Sequence, residues 1–216
     1  MNIYYPNIVN LFLVILTIYL WFKAQKFIGG KNVPSFNNFF DYLHVWSTPI
    51  NEWLNNHLKV TNILLIITSF IIDVTALFLL GSAIFGSTLQ PFLALVIVMT
   101  LRFICQLIFT LPTPKGIIWH NPGFPSLFVT YGVSNDFFFS GHTAVAMLGL
   151  LQIMQSAPLW FVFVCFILVI VQAVSMIVLR AHYTIDVFAA VVVAWIANMI
   201  AIQIAPILDF WIHSLF

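Results

Sequence analysis

Six long apolar runs, separated by polar connections, constrain this chain more than any other feature of its sequence. They cover residues 8–22, 60–80, 89–111, 140–154, 160–179 and 183–204. A helix needs about 20 apolar residues to cross the hydrocarbon core of a bilayer, and this chain is 62% hydrophobic and only 6% charged. Such a composition excludes an ordinary soluble domain. We therefore expect an all-α, polytopic membrane protein with six transmembrane helices, forming a single domain over residues 1–216.

Residues 29–56, between the first two apolar runs, have a mixed composition. Proline, phenylalanine and tryptophan alternate with scattered charges there, which suits the headgroup region better than the membrane core. We expect an interfacial segment between transmembrane helices one and two. His44 and His57 are interpreted as interfacial polar residues without a chemical role.

The turn Ser140-Gly141-His142 precedes the fourth apolar run and is the first candidate for chemistry. Ser140 is a favourable helix N-cap, and Gly141 allows a ligand to approach the backbone closely. A helix that begins here directs free N–H groups and the positive end of its dipole towards an anion. Because the imidazole of His142 exchanges protons near neutral pH, the turn predicts a phosphate site.

The second candidate is the sequence RAHYTID, residues 180–186, at the start of the sixth run. His182 and Asp186 are four residues apart, so on a helix they share a face. The carboxylate could then hold one ring nitrogen and leave the other free to attack. One histidine at a membrane boundary is equally well explained as an interfacial side chain, but two such sites favour an active site.

Asp73 and Arg102 lie inside the second and third apolar runs. An ionisable residue at membrane depth is costly unless it faces the bundle interior and finds a partner. Both are therefore candidates for function. The alternative is a structural ion pair between them that fixes helix packing.

A polar, proline-rich loop covers residues 112–136 and leads into the Ser-Gly-His turn. Loops of this length in compact proteins are often functional. Alternation of the six spans places this loop, residues 23–59 and residues 180–182 on one side of the membrane, and the connections on the other side carry no Lys or Arg. The positive-inside rule then favours a cytoplasmic active site, unless some of these cations serve phosphate instead. The net charge of +1 gives no indication of nucleic-acid binding.

Together these motifs resemble a known family. Ser140-Gly141-His142 and His182-x-x-x-Asp186 are similar to the two catalytic motifs of the type 2 phosphatidic acid phosphatase superfamily. The longer runs FFFSGHT, AHYTIDV and RFICQLIFTLPTPKG resemble its sphingomyelin synthase branch and the plant phosphatidylcholine:diacylglycerol cholinephosphotransferases. The resemblance covers roughly residues 102–194.

The resemblance implies that His182 attacks phosphorus, that Asp186 orients it, and that His142 exchanges a proton with the lipid oxygen. The residue types fit this chemistry, since an imidazole can form a phosphoramidate and a second imidazole suits the proton step. The scheme needs no metal and no cofactor. The predicted contacts of the substrate phosphate are Ser140, Gly141, Arg102, Lys115 and Arg180.

Two arginines of the phosphatase pattern are absent. The phosphatases carry Lys-x6-Arg-Pro in the loop, but Pro122 and Gly123 occupy those places after Lys115. They also carry Ser-Arg before the second histidine, where this chain has Ser175 and Met176. A phosphomonoester dianion needs more cationic donors than a phosphodiester monoanion, so the loss favours a diester headgroup such as phosphocholine.

Aromatic residues around the motifs suit the quaternary ammonium of choline, which aromatic faces bind well. The predicted headgroup contacts are Trp119, Tyr131, Phe138 and Tyr183, with Asp136 as a candidate counter-ion. The alternative is that these aromatics only mark the membrane interface.

We therefore predict a membrane enzyme that transfers phosphocholine from a glycerophospholipid to diacylglycerol or ceramide through a phosphohistidine. A lipid phosphatase or phospholipase C-like hydrolase would use the same site, with water as the acceptor. A transporter lined by Asp73 and Arg102 would tolerate the loss of His182. A metalloenzyme, which chelators would inhibit, would take its ligands from His120, His142, His182 and Asp186.

Overall fold

The computed structural model describes residues 4–30, 39–131 and 137–214. These ranges form eight helices and contain no strand. The helices are α1 (Tyr4–Gly29), α2 (Tyr42–Trp46), α3 (Thr48–Asn56), α4 (Leu58–Phe85), α5 (Gln90–Ile108), α6 (Gly141–Ile153), α7 (Leu159–Val178) and α8 (Thr184–Ser214). The predicted all-α fold is confirmed.

Five helices, α1, α4, α5, α7 and α8, are long and apolar enough to cross a membrane. The fourth predicted span corresponds to α6, an apolar helix of 13 residues. The fold is therefore that of a multi-pass membrane protein with five full-length spans in its described part and a shorter sixth apolar helix. α5 ends at Ile108, before the predicted end at residue 111. Pro112 disfavours helical geometry at Leu111, the residue before it, so the helix ends ahead of this position.

The predicted interfacial segment contains the short helices α2 and α3. Asp41 caps α2, since its side chain accepts hydrogen bonds from the backbone of Leu43 and His44. The side chain of Asn51 in α3 donates to the carbonyls of Gly116 and Val178 at 3.1 and 2.9 Å. These bonds join α3 to the loop after α5 and to the end of α7.

Small residues let α8 approach its neighbours closely. The alanines of its buried face recur every three or four residues: Ala190, Ala194, Ala197, Ala201 and Ala205. α8 packs most extensively against α5 and α6, and small residues at such contacts are typical of membrane bundles because they bring the backbones together. α1 is peripheral by comparison: only 11% of its span is buried, and it packs against α4 and α5.

The loop after α5 enters the bundle as far as the middle of α4. Asp73 anchors it by accepting three hydrogen bonds of 3.0 Å, from the hydroxyl of Ser126 and the backbone N–H groups of Leu127 and Phe128. One turn away, Ser69 is hydrogen-bonded to the hydroxyl of Tyr131. Irregular backbone at membrane depth needs partners inside the protein. The structure therefore favours an anchoring role for Asp73 over an ion pair with Arg102.

Candidate active site

The two histidine motifs lie side by side at the N-terminus of α6. The carbonyl of Phe137 accepts a hydrogen bond from Nδ1 of His182 at 2.9 Å. The backbone N–H of Ser140 donates to the carbonyl of Asp186 at 3.2 Å. These two bonds bring the turn before α6 against the turn before α8.

Ser140 caps α6, as its sequence predicts. Its side-chain oxygen accepts a hydrogen bond from the backbone of Thr143 at 3.3 Å. Nε of Arg102 donates to the carbonyl of Phe139 at 2.9 Å, and a Cβ at Gly141 would lie only 3.0 Å from that nitrogen. Gly141 thus gives the guanidinium room at the helix N-terminus. The guanidinium of Arg102 and the N-terminus of α6 both create positive potential where an anion would bind.

A backbone carbonyl fixes the tautomer of His182. Because a carbonyl can only accept, Nδ1 carries the proton and Nε2 keeps its lone pair. The sequence predicted Asp186 as the partner of this nitrogen, but its Oδ2 lies 3.7 Å from Nδ1, beyond hydrogen-bonding distance. The carbonyl of Phe137 accepts the hydrogen bond from this nitrogen, and Asp186 contributes its charge.

Asp186 caps its own helix with the same carboxylate oxygen that lies nearest the imidazole. It is the third residue of α8, and its Oδ2 accepts the N–H of Tyr183, the residue before the helix, at 3.0 Å. A carboxylate that reaches back in this way forms half of a capping box. Asp186 is fully buried, and its Oδ1 has no hydrogen-bond partner among the described residues. A buried carboxylate this close to an imidazole stabilises positive charge on the ring.

His44, interpreted from the sequence as an interfacial polar residue without a chemical role, has structural contacts with the turn that carries His182. His44 is buried, its Nε2 donates to the carbonyl of His182 at 3.0 Å, and its ring stacks on Tyr183 with centroids 5.4 Å apart. Burial lowers the pKa of His44, so its ring is neutral at pH 7. No local sequence pattern indicates this contact, because 138 residues separate the two histidines.

Asp41 also contacts the turn that carries His182, by binding Thr184, which lies two residues further along the chain. Its carboxylate accepts the N–H of Thr184 at 2.6 Å and the Thr184 hydroxyl at 2.7 Å, while it also caps α2. Partial burial opposes ionisation, but the bonds from Thr184 and the nearby His44 outweigh it and hold the pKa of Asp41 below its usual value. Asp41 and His44 are called the clamp below, because together they hold the turn that carries His182.

Both Nη groups of Arg180 donate hydrogen bonds to protein oxygens. Nη1 donates to the carbonyl of Lys115 at 2.6 Å, and Nη2 donates to the carbonyl of His44 at 3.1 Å and to the hydroxyl of Thr48 at 2.8 Å. These contacts favour a structural role that joins the loop to α2 and α3, in place of the predicted phosphate contact. Lys115 is exposed, and its phosphate contact stays a prediction.

Trp119 contacts the site directly. Its ring meets that of His142 edge-on, with centroids 5.1 Å apart, and lies beside Tyr131 at 5.2 Å. Its indole N–H donates to the carbonyl of Thr130 at 3.1 Å. Of the four aromatic residues predicted around the headgroup, Trp119 therefore contacts His142, and Tyr131 contacts Trp119.

The other predicted headgroup contacts have different surroundings. Phe138 packs edge-on against Phe109, with centroids 5.5 Å apart. The hydroxyl of Tyr183 donates to the carbonyl of Pro112 at 3.0 Å, which fixes the loop over the His182 turn. Asp136 lies outside the described residues, so its role as a counter-ion stays a prediction.

A cavity of about 80 Å³ opens beside His142. Side chains from α1, α4, α5 and α6 line it and are mainly apolar, while Arg102, Gly141 and His142 also border it. Nε2 of His142 is buried and has no hydrogen-bond partner in the described part of the chain. An apolar cavity with a few polar groups suits a lipid whose reacting end lies next to His142.

His120, a ligand in the metalloenzyme alternative, lies away from this cluster of contacts. Its Nε2 is hydrogen-bonded to the side chain of Asn62 at 2.8 Å, in exposed surroundings. Within the described ranges, no three His, Cys, Asp or Glu side chains are grouped closely enough to hold a metal ion.

Comparison with known proteins identifies the family. No curated protein matches the chain. The crystal structure of LpxE from Aquifex aeolicus is similar at 16% identity with a TM-score of 0.44, over 84% of this chain and 94% of that one. The family model of AtPDCT1/2 matches residues 40–203, well over half of the chain, including both histidine motifs and the clamp. The chain thus belongs to the AtPDCT1/2 family of phosphatidylcholine:diacylglycerol cholinephosphotransferases, as its motifs predict, and is a phospholipid headgroup enzyme of the membrane.

Proposed function

We propose that this protein transfers phosphocholine from a glycerophospholipid to the hydroxyl of diacylglycerol or ceramide, through a phosphohistidine at His182. The observation that carries the proposal is the 2.9 Å hydrogen bond between Nδ1 of His182 and the carbonyl of Phe137. It leaves Nε2 unprotonated, and an imidazole is nucleophilic only at such a nitrogen. Membership of the AtPDCT1/2 family supports the substrate class.

In the first half-reaction, Nε2 of His182 attacks the phosphorus of the donor lipid. An N–P bond forms, and the P–O bond to the diacylglycerol oxygen breaks with its electron pair. The anionic phosphate of the bound donor favours the imidazolium form of His142. In that form His142 gives the oxygen a proton, and diacylglycerol leaves. Asp186, 3.7 Å from Nδ1, stabilises the positive charge that the attacking ring acquires.

In the second half-reaction, the hydroxyl oxygen of the acceptor lipid attacks the same phosphorus. Its proton passes to His142, which the first half-reaction left neutral. The N–P bond breaks, and its electron pair returns to Nε2 of His182. Both histidines regain their starting states, as microscopic reversibility requires for two similar half-reactions.

The charges around the site support a phosphodiester substrate. Arg102 lies against Gly141 at the N-terminus of α6 and provides one guanidinium there. The Nη groups of Arg180, by contrast, donate to protein oxygens. One guanidinium and a helix N-terminus match the single negative charge of a diester better than a dianion.

Trp119 and Tyr131 are the aromatic residues that we assign to the choline group. They form a tilted pair beside His142, and a quaternary ammonium is attracted to aromatic faces. The basic residues of the connections on this side of the bundle support an active site in the cytoplasmic leaflet.

The proposal is tested with purified protein in vesicles that contain choline-labelled phosphatidylcholine. Diacylglycerol with different acyl chains, or ceramide, is added as the acceptor. We expect the label mainly in a new lipid, with slow release to water, and neither product with His182→Ala. If the protein releases free phosphocholine at the same rate with and without an acceptor, the hydrolase alternative replaces the transferase.

A further inference from the structure

We infer that the cavity beside His142 holds the acyl part of the lipid that carries the free hydroxyl, and that Gln25 of α1 is the residue that recognises this hydroxyl. This inference rests on the proposed function. It adds a binding residue from outside residues 40–203, the region that the family model matches.

The walls of the cavity are apolar along most of its length. Ile72, Ala76 and Leu80 of α4 form one side, and Leu95 and Met99 of α5 form another. These side chains lie at membrane depth, where a lipid chain gains contacts without exposing polar groups. An acyl chain is therefore the natural occupant of this space.

Two unpartnered polar atoms belong to side chains that line this cavity. Gln25 and His142 both border it. The side-chain oxygen of Gln25 and Nε2 of His142 are buried, and neither has a hydrogen-bond partner within residues 4–30, 39–131 and 137–214. A buried acceptor without a partner is unfavourable, so the oxygen of Gln25 indicates a ligand that brings a hydrogen-bond donor, and neutral His142 takes the proton of that donor when it reacts.

The chemistry of the two lipids decides which of them Gln25 recognises. Phosphatidylcholine has no O–H or N–H group, because its glycerol oxygens are esterified and its ammonium is quaternary. Diacylglycerol and ceramide both carry a hydroxyl, which donates to a carbonyl oxygen. The contact with Gln25 therefore forms only when the lipid oxygen is free of phosphorus. A site built to bond a hydroxyl discriminates against a ligand that lacks one.

A second and larger cavity, of about 560 Å³, adjoins the first between α1 and α5. Thr17, Trp21 and Met99 line both cavities. Diacylglycerol and ceramide have two chains each, and two adjoining spaces divided by these side chains accommodate them. Since α1 is the peripheral helix, the second space also gives the lipid a route from the bilayer.

The test compares Gln25→Met with Gln203→Met, which changes an exposed glutamine of α8 in the same way. Methionine keeps the length of the side chain and removes the carbonyl. We expect Gln25→Met to raise the acceptor mole fraction for half-maximal transfer about tenfold, the effect of one hydrogen bond. Single-turnover transfer of phosphocholine from the donor to the enzyme should be unchanged, and Gln203→Met should behave as wild type.

Binding is measured separately with photoreactive lipids on the inactive His182→Ala protein. We expect a diazirine-bearing diacylglycerol or ceramide to label segments of α1, α4 and α5 that line the two cavities. Gln25→Met in this background should weaken labelling by both hydroxyl lipids and leave labelling by a photoreactive phosphatidylcholine unchanged. A loss with only one of the two hydroxyl lipids identifies that lipid as the occupant.

Three results would each overturn the inference. The first is no labelling of these segments by the hydroxyl lipids, and the second is equal loss of labelling by all three probes in Gln25→Met. The third is an unchanged acceptor dependence in that variant, with transfer confirmed. If the wild-type protein only hydrolyses its substrate but the selective labelling is observed, the proposed transferase fails while the hydroxyl-lipid site stands.

Discussion

The two histidines of the site have opposite surroundings. His182 is held on three sides: Nδ1 by Phe137, its carbonyl by His44 and its backbone N–H by the carbonyl of Met176 at 3.2 Å. The ring of His142 contacts Trp119, and its Nε2 has no partner in the described structure. The difference suits their proposed roles. A nucleophile must be aimed at one phosphorus atom, whereas a proton carrier must serve a departing lipid and then an arriving one.

The largest expected effect is a difference between variants of the two histidines in how their activity depends on the leaving group of the donor. With phosphatidylcholine as the donor, His142→Asn should lower turnover by roughly 10²- to 10⁴-fold, because the departing alkoxide receives no proton. With p-nitrophenyl phosphocholine, whose phenolate leaves without a proton, labelling of the enzyme should remain close to wild type. The measurement is burst-phase release of nitrophenolate.

The matched control for His142→Asn is His182→Ala with the same activated donor. That variant should give no burst, since no nucleophile remains. Equal losses of the burst in both variants would contradict the division of roles between the two histidines.

Asp186→Asn should reduce turnover by about 10²-fold. The loss should be smaller than in an enzyme whose histidine is held by a carboxylate alone, because the carbonyl of Phe137 still holds Nδ1 of His182. Asparagine can still accept the N–H of Tyr183, so the helix cap survives. Asp186→Ala removes the cap as well and should lower the thermal stability. An Asp186→Asn protein with no detectable turnover would show that the carbonyl of Phe137 does not hold the ring by itself.

Substitutions of Arg102 and Asp73 should have different effects, the first on activity and the second on stability. Arg102→Met should lower turnover by about 10²-fold, because the phosphate loses a cation in a water-poor site. Asp73→Leu should lower the stability by about 3 kcal/mol, because three loop donors lose their acceptor. Turnover and thermal unfolding are measured for each variant. Full activity in the double variant Asp73→Leu with Arg102→Met would rule out a catalytic role for Arg102.

The clamp should act on the orientation of His182 and not on lipid binding. We expect His44→Leu to lower kcat about tenfold with little change in the lipid concentration for half-maximal rate, because the carbonyl of His182 loses one hydrogen bond. His44→Gln keeps an N–H donor and should restore most of kcat. His57→Leu, an exposed histidine of the same segment, serves as the control. A loss in His44→Leu that glutamine does not repair would indicate a packing role.

The smallest expected effect is a change in the fraction of phosphocholine that is hydrolysed instead of transferred. Trp119 covers His142, so Trp119→Ala should raise the fraction of phosphocholine released to water several-fold with transfer largely retained. Adding Phe138→Ala should raise that fraction further. Trp160→Ala, on the exposed start of α7, is the control. An unchanged product ratio in the Trp119 variant would mean that another group excludes water.

The fold, and the two motifs that meet in the structure, could be predicted from the sequence for a physical reason. Membrane spans follow from local apolar composition, and the polar residues of both motifs belong to single helix turns, so short patterns reveal them. Ser140 as a cap and Gly141 as a point of close approach are local properties of this kind.

The errors concern contacts between distant segments. The partner of His182 Nδ1 is the backbone carbonyl of Phe137, which no residue type encodes. His44 lies 138 residues from the group it binds. Arg180 was assigned to phosphate from its position beside His182, but backbone carbonyls of the loop and α2 accept from it. No local pattern indicates Gln25, whose side chain lines a cavity together with residues of α4, α5 and α6.

The covalent intermediate offers the most direct test of catalysis through His182. Wild-type protein is mixed with phosphatidylcholine labelled in the headgroup, without an acceptor, and quenched in alkali, which preserves phosphohistidine. Peptide mass spectrometry should find phosphocholine on His182, and acceptor lipid added before the quench should remove it. Label on another residue, or no label under conditions where transfer is measured, would contradict catalysis through His182.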